Sequence, residues 1–131
     1  MDFYREAILD HYSNPRNWEV LSPADIDHEE NNPLCGDRLR LTLRVDGENK
    51  IVAVGWSGEG CAISQAAASM LGETLIGKTL DEAKAISKEH ILEMLGIELG
   101  PVRLKCALLS LKVLKVGAYG LAGWNETEHE A

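Results

Sequence analysis

The stretch Arg38-Leu39-Arg40-Leu41-Thr42-Leu43-Arg44-Val45-Asp46 alternates without a break, and it constrains the fold more than any other part of the chain. Leu39, Leu41, Leu43 and Val45 share one face, and Arg38, Arg40, Thr42 and Arg44 share the other. A period of two with one apolar side predicts a half-buried antiparallel strand over residues 38–46. Asp46-Gly47-Glu48-Asn49 is a hairpin turn, Ile51 to Ser57 is the return strand, and Gly58-Glu59-Gly60 breaks it. From Cys61 onward the period becomes helical: Ile63, Ala66, Ala67, Met70 and Leu71 fall on one face, and Gly77 marks the end.

The flanking segments complete an α+β chain. Thr79-Leu80-Asp81-Glu82 has the capping-box pattern of a short helix. Another helix is expected from Ser87 to Gly96. Gly100-Pro101 opens a last helix that runs to about Gly117, with Pro at its first position. That helix is apolar nearly all round, so it should be buried. Residues 2–12 read as an N-terminal helix with Asp2 as N-cap, stopped by Asn14-Pro15. Residues 16–37 read as a long polar connection with one weak strand around Asp25–His28, and a connection of that length is often functional. Residues 123–131 are polar and acidic and read as a frayed tail. The expectation is one domain over residues 1–131, a small antiparallel sheet with helices packed on one face.

Charge narrows the function classes. The formal net charge is −8, which argues against nucleic acid and against an anionic membrane surface. The start, Met1-Asp2-Phe3-Tyr4-Arg5-Glu6, is charged where a signal peptide needs an apolar core. No run reaches the roughly 18 apolar residues of a membrane span. The chain is read as cytoplasmic, where thiols stay reduced. Its three Cys are odd in number and widely spaced, which argues against a disulfide framework.

Each thiol sits at a junction between elements. Cys35 lies in Asn32-Pro33-Leu34-Cys35-Gly36-Asp37, where Gly36 lets the side chains on either side converge. Cys61 follows Gly58-Glu59-Gly60 and precedes a helix, and Cys106 lies in the first turns of the last helix. Helix N-termini carry partial positive charge that favours a thiolate, the form that binds metal. Arg103 and Lys105 add charge of the same sign beside Cys106. Three thiolates and the Asp37 carboxylate would suit a four-coordinate zinc ion or a small iron–sulfur cluster. The residues alone leave two readings open, because buried inert Cys is common and the spacing matches no short zinc-finger pattern. His11 reads as a partly buried residue on a helix face and His28 as a solvated loop residue. Gly58-Glu59-Gly60 lacks the Lys and Ser/Thr of a phosphate loop. Ser57, Ser64 and Ser69 lack an evident His/Asp partner set.

Asn-Pro-x-Cys-Gly-Asp at 32–37, Gly-x-Gly-Cys-Ala-Ile-Ser at 58–64 and Arg-x-Lys-Cys-Ala at 103–107 resemble the three Cys motifs of the U-type iron–sulfur assembly proteins (IscU, SufU and the NifU N-terminal domain). The opening Tyr4, Asp10-His11-Tyr12 and Asn14-Pro15-Arg16-Asn17 is similar too, and the likeness runs in order from residue 3 to about 117. It implies a three-stranded antiparallel sheet with helices packed on it. It implies Cys35, Asp37, Cys61 and Cys106 as ligands of iron and of a [2Fe–2S] cluster. It implies a pyridoxal-phosphate cysteine desulfurase as sulfur donor and cluster-accepting apoproteins as recipients. A homo-oligomer is compatible with all of this.

The resemblance divides at two places. IscU-type members carry His before the last Cys, whereas Lys105 follows the SufU habit. SufU-type members act as zinc-dependent sulfur acceptors, so a zinc-dependent sulfurtransferase is the alternative to a non-enzymatic scaffold. Yet they usually insert about twenty residues before the last motif, and here only 44 lie between Cys61 and Cys106, an IscU-type length. Persulfide would be accepted at Cys106 by the IscU habit and at Cys35 by the SufU habit, with Lys105 as a counter-charge. Leu99-Gly100-Pro101-Val102-Arg103 stands where IscU-type members present Leu-Pro-Pro-Val-Lys to a chaperone.

Overall fold

The computed structural model describes residues 3–33 and 36–119. Its order is α1 (Phe3–Ser13), β1 (Ile26–Asn32), β2 (Asp37–Val45), β3 (Ile51–Glu59), α2 (Ala62–Leu75), α3 (Leu80–Lys84), α4 (Lys88–Leu95) and α5 (Pro101–Tyr119). The strands form one antiparallel sheet in the order β1-β2-β3. The α+β expectation, a three-stranded sheet with helices on one side, describes this fold. The expected N-cap Asp2 and the tail at 123–131 lie outside the described residues.

The alternating strand positions Leu39, Leu41 and Leu43 are fully buried, joined by Ile51 and Trp56 of β3. Against them pack α2 and α5, whose Ala66, Ala67, Ala68, Leu71, Leu111, Val113 and Leu114 make one continuous core with the sheet. Burying a Leu-sized side chain contributes about 1.5–3 kcal/mol, so this seam dominates the stability. Among the described residues no helix is long and apolar enough to cross a membrane.

Two strand expectations change. β1 spans Ile26–Asn32 rather than a weak stretch at 25–28, because every residue from Ile26 to Asn32 finds a partner on β2. His28 is therefore a strand residue rather than a solvated loop residue. Its Nε2 lies 2.6 Å from Glu30 Oε2, and its Cβ faces Gly117 on α5. Thr42, on the polar face of β2, is fully buried. The chain after α1 crosses that face: Leu21 N–H donates to Thr42 Oγ1 (3.1 Å), and the Thr42 hydroxyl donates to Gly55 O (2.9 Å). Elsewhere the polar face is held by ion pairs. Arg40 reaches Asp27 through two bonds of 2.8 and 2.7 Å, and Arg38 bonds Glu29 at 2.9 Å.

The helix starts follow local chemistry. Thr79 and Glu82 close the expected capping box of α3, Glu82 N–H to Thr79 Oγ1 at 3.1 Å and Thr79 N–H to Glu82 Oε1 at 2.9 Å. α4 has a second one in which His90 takes the place of Glu: Ser87 N–H donates to His90 Nδ1 at 3.0 Å. Gly96 ends α4 in the left-handed conformation, φ 65°.

Candidate metal centre

Three chain junctions meet at one end of the sheet. Asp37 opens β2, paired with Asn32 across the turn from β1. Cys61 occupies the N-cap of α2, immediately after β3. Cys106 lies in the second turn of α5. One ligand atom from each of Asp37, Cys61 and Cys106 lies within 4.8 Å of the other two. Cys35 lies outside the described residues. Lys105 is exposed on α5.

Two glycines make the approach possible. Gly58 adopts φ +128°, and a Cβ there would sit 2.0 Å from Arg38 O. Only Gly lets β3 run this close to the start of β2. Gly60 then brings its Cα against the Asp37 carboxylate: an added Cβ would lie 2.8 Å from Asp37 Cγ and Oδ1 and 2.4 Å from Ser64 Oγ.

Asp37 is 1 % exposed, and among the described residues its side-chain hydrogen bonds come from Cys61 alone. Cys61 N–H donates to Oδ1 at 3.0 Å, which leaves Oδ2 facing the Cys61 sulfur at 3.7 Å. No Lys or Arg ion pair reaches Asp37 among the described residues. A carboxylate buried with only N–H and S–H partners lacks compensating positive charge, and a cation between it and the sulfurs would supply it. The donor set of sulfur, sulfur and carboxylate oxygen fits zinc or iron. Beside Asp37 a cleft of about 280 Å³ opens between Asn31, Asn32, Gly36, Arg38 and Glu59.

Cys61 is an exposed free thiol. Cys106 is 3 % exposed and disulfide-bonded, where the odd thiol count argued for no disulfide framework. Gathering several thiols at one point favours sulfur–sulfur bonding as much as a shared ion. Only the reduced thiolate is a ligand, so metal binding through Cys106 requires that bond to be opened.

Sequence reasoning overlooked the support around Cys61. The buried Ser64 hydroxyl donates to Cys61 O at 3.1 Å and lies 3.8 Å from the Cys61 sulfur. Gln65 Nε2 donates to Gly60 O at 2.7 Å. A Ser three residues after an N-cap Cys is a readable signal, but the Asp37 carboxylate that Cys61 bonds comes from a distant strand.

A second polar cluster ties α1 to α2, where sequence showed no partner set for Ser69. His11 Nδ1 lies 2.7 Å from Ser69 Oγ, Arg16 N–H donates to the same oxygen at 2.9 Å, and Glu73 Oε1 lies 3.5 Å from His11 Nε2. Ser69 is fully buried, so the cluster is a tether rather than a nucleophile. Burial first, then the charge of Arg16, holds the His11 pKa below its ordinary value against the opposing pull of Glu73 and Asp10.

Residues 3–127 match the NifU-like N terminal domain family. The chain belongs to that family. It is 41 % identical over 139 aligned positions to the zinc-dependent sulfurtransferase SufU of Bacillus subtilis, covering 93 % of each chain. It is 38 % identical over 114 positions to the iron–sulfur cluster assembly scaffold protein IscU of Aquifex aeolicus, covering 86 % of this chain and 72 % of the relative. Among solved structures it is similar to the SUF-system protein FiSufU of Fervidobacterium islandicum, with a TM-score of 0.72 and 34 % identity over 86 % of this chain and 94 % of the other. Family membership accords with the sheet order and with the junctions that gather the thiols.

Proposed function

We propose that this chain is an iron–sulfur cluster assembly scaffold. Cys35, Asp37, Cys61 and Cys106 receive iron and sulfur as cargo, hold them as a [2Fe–2S] cluster and release the cluster to acceptor apoproteins. Sulfur arrives as a persulfide from a cysteine desulfurase, with Cys35 or Cys106 as the accepting thiol and Lys105 as a charge beside it. An external thiol or redox-protein reductant supplies the two electrons that turn each persulfide sulfur into cluster sulfide. The observation that carries this reading is the meeting of the Asp37 carboxylate with the Cys61 and Cys106 sulfurs within 4.8 Å, from positions far apart in the chain. A carboxylate is a harder ligand than a thiolate and holds a sulfur-rich cluster less firmly, which suits a cargo that must leave.

The deciding experiment is metal and acid-labile sulfide content, with an absorption spectrum, on pre-reduced protein reconstituted anaerobically with desulfurase, cysteine, ferrous iron and a dithiol reductant. A visible charge-transfer spectrum with iron and sulfide in equal amounts is expected. Stoichiometric zinc that persists without sulfide would overturn the scaffold reading.

A second reading is favoured by one relative, since the 41 % identical SufU is a zinc-dependent sulfurtransferase and Lys105 agrees with it. In that reading zinc is resident, orders the thiols, and the chain accepts sulfur without building a cluster. Loss of desulfurase stimulation on zinc removal would select it.

A further inference from the structure

Ser64 is fully buried in the first turn of α2, and among the described residues its hydroxyl has hydrogen-bond neighbours only at Cys61: the carbonyl oxygen at 3.1 Å and the sulfur at 3.8 Å. The Cys61 thiol has one hydrogen and two acceptors within reach, Asp37 Oδ2 at 3.7 Å and Ser64 Oγ at 3.8 Å. The sulfur thus lies beside both a carboxylate oxygen and a hydroxyl. A Cβ at Gly60 would run into both Ser64 Oγ and the Asp37 carboxylate, so the absence of a side chain there leaves them their room. We propose, resting on the metal reading above, that Ser64 is a positioning residue for the centre: its hydroxyl holds the Cys61 sulfur toward Asp37 and Cys106 when an ion is bound. A sulfur that ligates an ion has lost its proton and can only accept. The Ser64 hydroxyl then turns from the Cys61 carbonyl to donate to that sulfur, a rotation a Ser side chain makes freely. Partners of this kind orient ligands and typically contribute 10–100-fold to metal affinity.

The test is zinc affinity, by competition with a chromogenic chelator, on the reduced full chain. Two pairs are compared: wild type with Ser64→Ala, and Ser64→Thr with Ser64→Val, which differ only by hydroxyl against methyl. The variant without a hydroxyl is expected to bind zinc about tenfold or more weakly in each pair that folds. The metal-free melting temperature of Ser64→Ala should fall by no more than the loss of its one hydrogen bond to Cys61 O explains, whereas a merely structural role would leave zinc affinity unchanged. Equal affinity within either pair overturns the proposal. Wild type that binds no zinc at this site overturns the metal reading itself, and the role of Ser64 falls with it.

Discussion

Replacing Gly60 by Ala is the smallest change that should dismantle the centre. The added Cβ would lie 2.4 Å from Ser64 Oγ and 2.8 Å from Asp37 Cγ, where ordinary contact begins near 3.4 Å. Either the hydroxyl recedes by about 1.0 Å and the carboxylate by about 0.6 Å, or the β3–α2 junction lifts by a similar amount. The hydroxyl is held by Cys61 O at 3.1 Å, and the carboxylate by Cys61 N–H at 3.0 Å. Neither can retreat without stretching a bond to the residue that follows Gly60. Overpacking of this kind costs about 1–3 kcal/mol, and a stretched buried hydrogen bond adds about 1 kcal/mol. The Asp37 oxygen also leaves the two sulfurs, so zinc affinity should fall at least as far as for loss of an outer partner, about 10–100-fold. Chelator competition reads the affinity, and thermal unfolding of the metal-free protein reads the packing cost. Gly47→Ala is the control, because nothing lies within 4 Å of its added Cβ. A Gly60→Ala protein that binds zinc as wild type does would refute the close approach of Gly60 to Asp37 as a requirement.

Three further outcomes are expected. Asp37→Ala should retain a reconstituted cluster longer than wild type, followed by the decay of its visible absorption; faster loss would count against the role given to the oxygen ligand. His11 has a folded pKa below its ordinary 6.5, so the unfolded chain binds its proton more readily. Its contribution to stability is therefore present above pH 6.5 and lost as pH falls through the folded value; urea midpoints across that range should show the slope, and His11→Asn should flatten it. Leu41→Ala, at a fully buried position between the sheet and its helices, should cost about 2–5 kcal/mol in chemical denaturation; a cost below 1 kcal/mol would mean the strand face is not the centre of the core.

Most of the scaffold was legible where one local signal decides. The alternation of β2, the capping box at Thr79 and the all-round apolar α5 each depend on neighbours within a few residues. β1 was obscured because Asp27, Glu29, Glu30 and Asn31 resemble a solvated loop; its strand conformation depends on β2, reached through long-range pairing. Thr42 misled for a similar reason, since the segment that covers it lies some twenty residues earlier. For the site, motif resemblance singled out the residues to inspect, but gaps of 26 and 45 residues between the thiols carry no distance information. Gly60 precedes Cys61 and Ser64 follows it by three residues, and their importance appears only once Asp37 is brought to the same junction.

The polar composition that hid β1 has a consequence for how copies of this chain meet. β1 is an outer strand, paired on one side only. An open strand edge is where a second chain would extend the sheet. Here three of seven edge residues are acidic, on a chain of net charge −8. Those carboxylates are already engaged within the chain, Asp27 by Arg40, Glu29 by Arg38, and Glu30 by His28 and Lys112. A strand docking on this edge would meet a row of committed ion pairs rather than open apolar side chains, which makes β1 a poor template for extending the sheet.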